Sequence, residues 1–547
     1  MIWIMLMPRV SYLGGEVGRR GFFGGTWPRS RIIGLVIVMP IGAFLVLMLQ
    51  IPGVLITAGA VVVVWVSTMS TPAGSPLDRF RDRKRWKERL RRGTVDFVPF
   101  DQQRWDELCE LVEVTSKKER GPIYAELSTM RETPDGVEGM HWLQDERRQP
   151  GIAWHTPTGE DAYLSVAWST SGQIKGMSAN NYLDLCAEAF GKLQAQWGSP
   201  LRLPSHIQTI TRVLPTDTAR HEDWVVNELN PDSPIILRRS YDQIMRQLGR
   251  GGLVQRHVIV VRWPLTPKFM ADASKHGEGL AGWKALMQNQ IESATRAIRS
   301  ARFRDVKVLT ARQVGAILRH MQHPDFPFEQ AGDLDSPMDC WVPSHDEWSY
   351  TETVATPDGS DAPVSWLHRT AVFPIAEVGT HARNSLWLSP LLTSLSTPIV
   401  RTLSMQTAIV PAREARLQAR MDATTDIADI QKQKEKGELS IDGIDEMLGS
   451  AQRRLRDLRG GTHHQGAEWV GHLSISARSR NELIQAVQVV SEAADRAGIA
   501  KLEWQDTYQA AAHASTWPVA RGMKPPAVSN ASRVRGMVMG SGAKEEI

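Results

Sequence analysis

Between Arg31 and Asp78 the chain carries no charged side chain, and this gap constrains the fold more than any other feature. Two apolar runs, 32–49 and 51–69, fill most of it and meet at Gln50-Ile51-Pro52-Gly53. A helix rises about 1.5 Å per residue against about 30 Å of hydrocarbon, so each run is long enough to span only if nearly untilted or extended by its polar flanks. Proline and glycine interrupt the helix where the chain must reverse, and so short a turn forces an antiparallel pair. The expectation is a two-helix transmembrane hairpin over 32–70, with Pro40 kinking its first helix. A lone secretory signal is the competing reading, and the second apolar run following at once argues against it.

Charge orients this hairpin. Residues 1–93 hold 14 Lys and Arg against four Asp and Glu, a balance of +10, so within a whole-chain charge of +4 the remainder carries −6. Both flanks of the uncharged stretch are positive and its turn is neutral, which places both termini in the cytoplasm of a multi-pass protein of the inner cell membrane. The segment 71–94 reads as a basic juxtamembrane helix. Arg31, Arg79, Arg81, Arg83, Lys84, Arg85, Trp86 and Lys87 are the expected membrane-interface residues, with Phe80 and Trp86 at headgroup level and the cations facing anionic lipid. Because the basic excess belongs to this segment, the usual argument for nucleic-acid binding, a basic stripe on a folded domain, is removed.

In 547 residues there is room for two or three further folded units. Residues 95–148 are mixed and polar beyond a short helix near 105–114. Then strand and helix patterns alternate: strands at 162–169, 206–214, 257–263 and 306–310, and helices at 181–197, 236–248, 283–302 and 311–321. This predicts a cytosolic α/β domain over 95–323, with strand–helix–strand units backed by helices as in ferredoxin-like split βαβ folds. After a loop-rich connection over 324–359, a second α/β domain is expected over 360–519, with strands at 368–376, 400–410, 469–476 and 500–505 and a helix at 480–497. Ser479 and Glu482 suit a capping box at the start of that helix. The charged stretch 411–460 reads as a projecting helical hairpin that contacts a partner, and 520–547 as a disordered tail.

Specific chemistry is hard to assemble from these residues. A phosphate cradle needs GxxxxGK[ST], which does not occur; Gly191-Lys192 falls inside an amphipathic helix, and the glycines of 14–25 precede an apolar run instead of joining a strand to a helix. His320, His323 and Asp325 suggest a metal cluster only until the helix end is considered, where histidines suit the dipole. His463-His464 lies in a glycine-flanked loop. Cys109, Cys186 and Cys340 are isolated and form no CxxC pair. The 19 tryptophans show no ladder interleaved with cations. No catalytic, cofactor-binding or metal residue is assigned.

The segments RVSYLGGEVGRRGFFG, SPLDRFRDRKRWKERLRRG, ITRVLPTD, SYDQIM, RHVIVVRWPL, FPIAEVGTHARNSLWLSPLL, EWVGHLSISARSRNELIQAV and KLEWQDTYQAAAHASTWPVARG occur in that order. In this the chain resembles a family of actinobacterial conjugation-associated membrane proteins. In that family a PrgI-like two-helix anchor is joined to a region similar to the non-catalytic N-terminal part of the type IV secretion transfer ATPase. The apolar start MIWIMLM is not part of the pattern. The resemblance implies a non-enzymatic structural component of a conjugation or type IV secretion-like apparatus, without cofactor. Its implied partners are the lipid bilayer, a separately encoded transfer ATPase and other channel subunits, in an oligomeric assembly. The alternative is a membrane component of a type VII-like secretion machine, and neighbouring genes discriminate the two.

Overall fold

The computed structural model describes residues 11–12, 29–69 and 75–523, apart from breaks at 118, 175–177, 200–201, 216–223, 226, 231, 250–251, 328–332, 357–361, 380–381, 394 and 396, and from most of 418–464. The glycines of 14–25, His463-His464, most of the charged stretch 411–460 and positions 524–547 of the tail therefore lie outside the described residues.

After a two-residue strand β1 (Ser11–Tyr12), the uncharged stretch forms two helices, α1 (Arg29–Leu49) and α2 (Ile51–Ser67). Among the described residues, however, no helix is long and apolar enough to cross a membrane. The expected transmembrane hairpin over 32–70, and with it the multi-pass inner-membrane placement, is corrected. The physical reason is length. The 17 residues of α2 rise only about 25 Å. The first turn of α1 is spent on Arg29, Ser30 and Arg31, leaving about 27 Å of apolar helix, broken in mid-course by Pro40, against about 30 Å of hydrocarbon.

Beyond the basic helix α3 (Pro76–Arg92) come β2 (Asp96–Pro99), α4 (Gln102–Val114), α5 (Arg120–Thr129) and β3 (Met130–Arg131). The chain then passes twice through a similar order of strands, a hairpin followed by three long strands and a short one, with different elements between them. The first pass is the hairpin β4 (Met140–Gln144) and β5 (Ile152–His155), then β6 (Tyr163–Thr170), α6 (Asn180–Trp197), β7 (His206–Pro215), an insert bearing α7 (Ile235–Gly249), β8 (Leu253–Pro264), α8 (Pro267–Ala273), α9 (Gly279–Ser300) and β9 (Lys307–Val308). Helix α10 (Ala311–Gln322) follows. The second pass is the hairpin β10 (Ser344–Asp346) and β11 (Thr351–Ala355), then β12 (Val364–Pro374), β13 (Ala382–Arg383), α11 (Ser389–Leu392), β14 (Val400–Val410), the insert over 411–465, β15 (Gly466–Ala477), α12 (Arg480–Arg496) and β16 (Glu503–Trp504). Helix α13 (Gln509–Ala514) and a strap to Met523 complete it.

Fourteen strands form one sheet, in the order β3-β2-β10-β11-β12-β15-β14-β7-β8-β6-β5-β4, with β9 on β6 and β16 on β12. Outward from the β14·β7 seam the two halves read alike: β7-β8-β6-β5-β4 and β14-β15-β12-β11-β10. All pairings except β2·β3 are antiparallel. Two separate subdomains were expected, and this too is corrected: β7 and β14 pair from Val213 opposite Arg401 to His206 opposite Ala408, fusing the halves edge to edge. The supposed connection 324–359 contributes β10 and β11 to that sheet.

Cross-strand partners share a face, so the register sorts the two sides. One face is apolar. Leu164, Val166, Trp168, Ile207, Ile259, Val261 and Trp263 pack beneath α6 and α9, and Leu403, Leu473 and Ile475 pack beneath α12. The other face is apolar only in the first half, where Tyr163, Ala167, Ile210, Val258 and Val260 meet α10, Trp517 and Val519. Towards β12 it becomes a buried polar surface of Gln208, Arg212, Thr402, Ser404, Gln406, His472, Ser474, Ser476, Thr370 and His368. Ala520, Arg521 and Met523 are buried, so the ordered body runs past the point where the sequence places the tail.

Candidate functional site

Three places on this frame gather side chains with chemical or binding potential: the apolar hairpin and its junction with the body, the buried histidines of the polar face, and the insert bearing α7.

The hairpin closes through small residues. A Cβ on Gly53 would collide with the Leu45 carbonyl, one on Gly42 with the Thr57 side chain, and one on Gly34 would lie 2.8 Å from Val64. Thr57 Oγ1 donates to the Gly53 carbonyl at 2.8 Å, and Gln50 takes φ 51° at the turn. At the open end Arg31 donates from Nε to Thr68 Oγ1 at 3.1 Å and from Nη2 to the Thr68 carbonyl at 3.2 Å, with its guanidinium 4.4 Å from the Trp65 ring. Arg31 thus clasps the two helix ends together. The rest of the hairpin is bare apolar surface, including Val36, Phe44, Leu47, Leu55 and Val63, with Leu47 82% exposed.

Helix α3 starts at Ser75, whose Oγ accepts from Asp78 N at 3.1 Å, and ends at Gly93 in the left-handed region. Arg79, Arg81, Arg83, Lys84, Arg85 and Lys87 are exposed on it, Arg85 within 3.7 Å of Asp82. Trp86 is half-buried edge-on against Trp348, with ring centroids 5.9 Å apart. Sequence reasoning missed Arg89, one cation in a run of them with no local signal to separate it. It is buried, donating from Nη2 to Asp346 at 2.9 Å, to Asp135 at 3.0 Å and to the Thr94 carbonyl at 3.2 Å, and from Nη1 to the Thr507 carbonyl, with Tyr508 against its guanidinium. Asp346 also accepts from Ala510 N at 2.8 Å. Burial raises its carboxyl to about 6, against the pull of Arg89. Helix α3, β10 and the start of α13 are pinned at one point.

On the polar face, His368 shares hydrogen bonds with Ser476 Oγ at 2.8 Å, Thr353 Oγ1 at 3.0 Å and the Gln322 carbonyl at 2.9 Å, and stacks on His513 with centroids 4.2 Å apart. Arg212 donates to the His320 carbonyl at 2.8 Å. Burial lowers the Arg212 guanidinium to about 9, the His368 imidazole to about 3 and that of His472 to about 4, and holds His155, His320 and His513 well below their ordinary value. Buried and bonded to a carbonyl and two hydroxyls, the His368 imidazole acts as a structural polar group. The strap is gripped from below by Gln208, which donates to the Trp517 carbonyl at 2.9 Å and accepts from Ala520 N at 2.9 Å, and by Tyr163, which donates to the Val519 carbonyl at 3.0 Å.

The candidates raised by sequence lie apart from any joint site. His323 bonds the Val364 carbonyl at 3.2 Å, Asp325 accepts from Trp366 Nε1 at 2.9 Å and pairs with Arg478, and His320 is buried above Arg212. Among the described residues no group of three or more His, Cys, Asp or Glu is placed to hold a metal. Lys192 pairs with Glu188 at 2.7 Å on the outside of α6. Cys109 is exposed; Cys186 and Cys340 are buried, and burial pushes the Cys340 thiol up.

The third place is the insert between β7 and β8. Because β7 and β14 run antiparallel, it leaves one end of the sheet and the 411–465 insert leaves the other. Its helix α7 lies largely exposed, with Trp224 against Tyr241 at 5.8 Å. No family model matches the chain, and no curated protein matches it.

Proposed function

We propose that the chain is a non-catalytic structural component of a conjugation or type IV secretion-like transfer apparatus, where it docks a separately encoded ATPase and contacts other channel subunits in an oligomeric assembly. The observation that carries this reading is a bare apolar hairpin followed in sequence by a basic helix, α3, which Arg89 pins to one continuous sheet. Apolar patches on a lone protein are rarely larger than a few hundred Å² and mark interaction sites when they are. Two features support a platform over an enzyme. The body is a fused pair of like units on one continuous sheet, with an insert leaving each end. His368 is buried and bonds to its neighbours inside the frame, whereas a general base must reach the proton it takes.

The test is genetic and direct. Deleting the gene in its host is expected to abolish transfer and to release the ATPase from its assembly, both restored by the wild-type gene and not by one lacking residues 29–69. Transfer at the normal rate in the deletion strain would contradict the proposal.

A further inference from the structure

Helix α3 has two unlike sides. Trp86 and Arg89 turn toward the body, against Trp348 and Asp346. On the opposite side Phe80, Lys84, Lys87 and Arg91 follow one another at four- and three-residue steps, with Arg83 beside them, and all five are exposed. Among the described residues Phe80, Arg83, Lys84, Lys87, Glu88 and Arg91 line a hollow of about 660 Å³. Glu88 is engaged by Arg92, whereas Arg83, Lys84, Lys87 and Arg91 form no ion pair among the described residues. A face of this kind calls for an anion with several charges.

The hairpin says which anion. It precedes α3 directly in the chain, and α2 and α3 come within 8 Å of each other, Cα to Cα. At about 100° per residue, the exposed Ile33, Val36, Met39, Ile41 and Leu49 of α1 are spread round most of its circumference, and on α2 three exposed apolar residues, Val54, Leu55 and Ile56, are consecutive. A protein groove covers one stripe of a helix; apolar surface on every side but the helix–helix contact suits a surrounding hydrocarbon. A nucleic-acid backbone would serve the cations of α3 and leave the hairpin bare. A second copy would bring the same cations to the contact. An anionic phospholipid layer serves both surfaces, because it places phosphates beside hydrocarbon.

We propose that α3 lies against an anionic phospholipid surface, with Arg83, Lys84, Lys87 and Arg91 on the phosphates, and that the hairpin enters the adjoining leaflet without crossing the bilayer. Phe80, 66% exposed on the same side of α3, sits at the boundary between the two layers. The inference goes beyond the docking function proposed above and does not depend on it.

The experiment floats the full chain with vesicles of phosphatidylcholine alone and of phosphatidylcholine mixed with phosphatidylglycerol, at low and high salt. Wild type is expected to prefer the anionic vesicles, and salt is expected to weaken that preference. The double variant Lys84→Glu and Lys87→Glu should bind them roughly tenfold more weakly or worse, and the charge-keeping Lys84→Arg and Lys87→Arg should bind as wild type. Circular dichroism and thermal midpoint without vesicles should not change, since both lysines are exposed. Bromine on the lipid chains should quench tryptophan fluorescence, and Trp65→Phe should reduce that quenching, because Trp65 lies on the hairpin. Equal binding to both vesicle types, or wild-type binding by the charge-reversed variant, would overturn the role of α3. Quenching unaffected by Trp65→Phe would overturn entry of the hairpin. Tighter binding to a duplex DNA oligonucleotide than to the anionic vesicles, lost in the charge-reversed variant, would identify the occupant as nucleic acid and overturn the proposal.

Discussion

Arg89 and Asp346, 257 residues apart in sequence, meet at 2.9 Å in a junction where Asp346 is fully buried. Asp135 is a second carboxylate on Arg89 at 3.0 Å, and Arg131, paired with Asp135, completes the charge balance. The pair is the mechanical link between the helical N-terminal region and the sheet, because α3 carries one partner and β10 the other.

Removing one member of such a pair strands the other. Arg89→Met keeps most of the side-chain volume yet leaves Asp346 uncompensated, and should destabilise the body by about 3–5 kcal/mol. Urea denaturation measures this. A change below about 1 kcal/mol, the range of an exposed ion pair, would show that the junction bears no load.

Acid should weaken the fold. His368 and His472 have folded-state values of about 3 and 4, below the ordinary 6.5, so between those values and 6.5 the unfolded chain binds more protons. Their contribution is complete above pH 6.5 and is lost as pH falls; at pH 5 each should cost about 2 kcal/mol. Asp346 works the other way. Its value is raised from 3.8 to about 6, so it penalises the native state once ionised, and acidification from pH 7 to pH 5 returns about 1.4 kcal/mol. The histidines outweigh it, and the thermal midpoint should fall between pH 7 and pH 5. A midpoint that rises over this interval would contradict the burial of these imidazoles.

Gln208 is the main grip on the C-terminal strap. Gln208→Leu would leave the Ala520 amide and the Trp517 carbonyl unpaired inside the protein, at a cost on the order of 2 kcal/mol or more. Hydrogen exchange should accelerate first at residues 515–521. Uniform acceleration throughout the sheet would instead mean that the strap has no separate stability.

Gly53→Ala tests the hairpin. The new methyl would collide with the Leu45 carbonyl, a backbone atom that cannot turn away, so the helices must separate at an overpacking cost of about 1–3 kcal/mol. Gly59→Ala, on the same helix with open space around it, should be neutral or slightly stabilising. Equal effects from the two substitutions, read by circular dichroism during thermal unfolding, would argue against the close crossing.

Much of the local order was legible in the sequence. The alternation of apolar runs marked β6, β7, β8, β14 and β15, and Ser479 with Glu482 marked the start of α12, where Glu482 N donates to Ser479 Oγ at 3.3 Å. The fusion of two units through β7 and β14 was not legible, because a strand interior to a sheet and one at its edge differ only in what lies beside them. The polar face hid for a related reason. Gln208, Ser404 and His472 are polar side chains on strands, and nothing local in the sequence says that α13 and the strap cover them. Within α3 nothing local distinguishes Arg89 from the exposed cations around it. The length of α2 mattered more than its apolar composition: at 17 residues it falls short where composition alone suggested a span.

The central claim is that this chain serves as a platform for a motor it does not itself contain. Native mass spectrometry of the full-length chain mixed with the ATPase encoded beside it, followed by nucleotide turnover of each separately, tests that claim most directly. The account predicts a species containing both polypeptides and ATP hydrolysis that follows the ATPase alone. Separate masses at every concentration tried, or hydrolysis by this chain in the absence of the other, would contradict it.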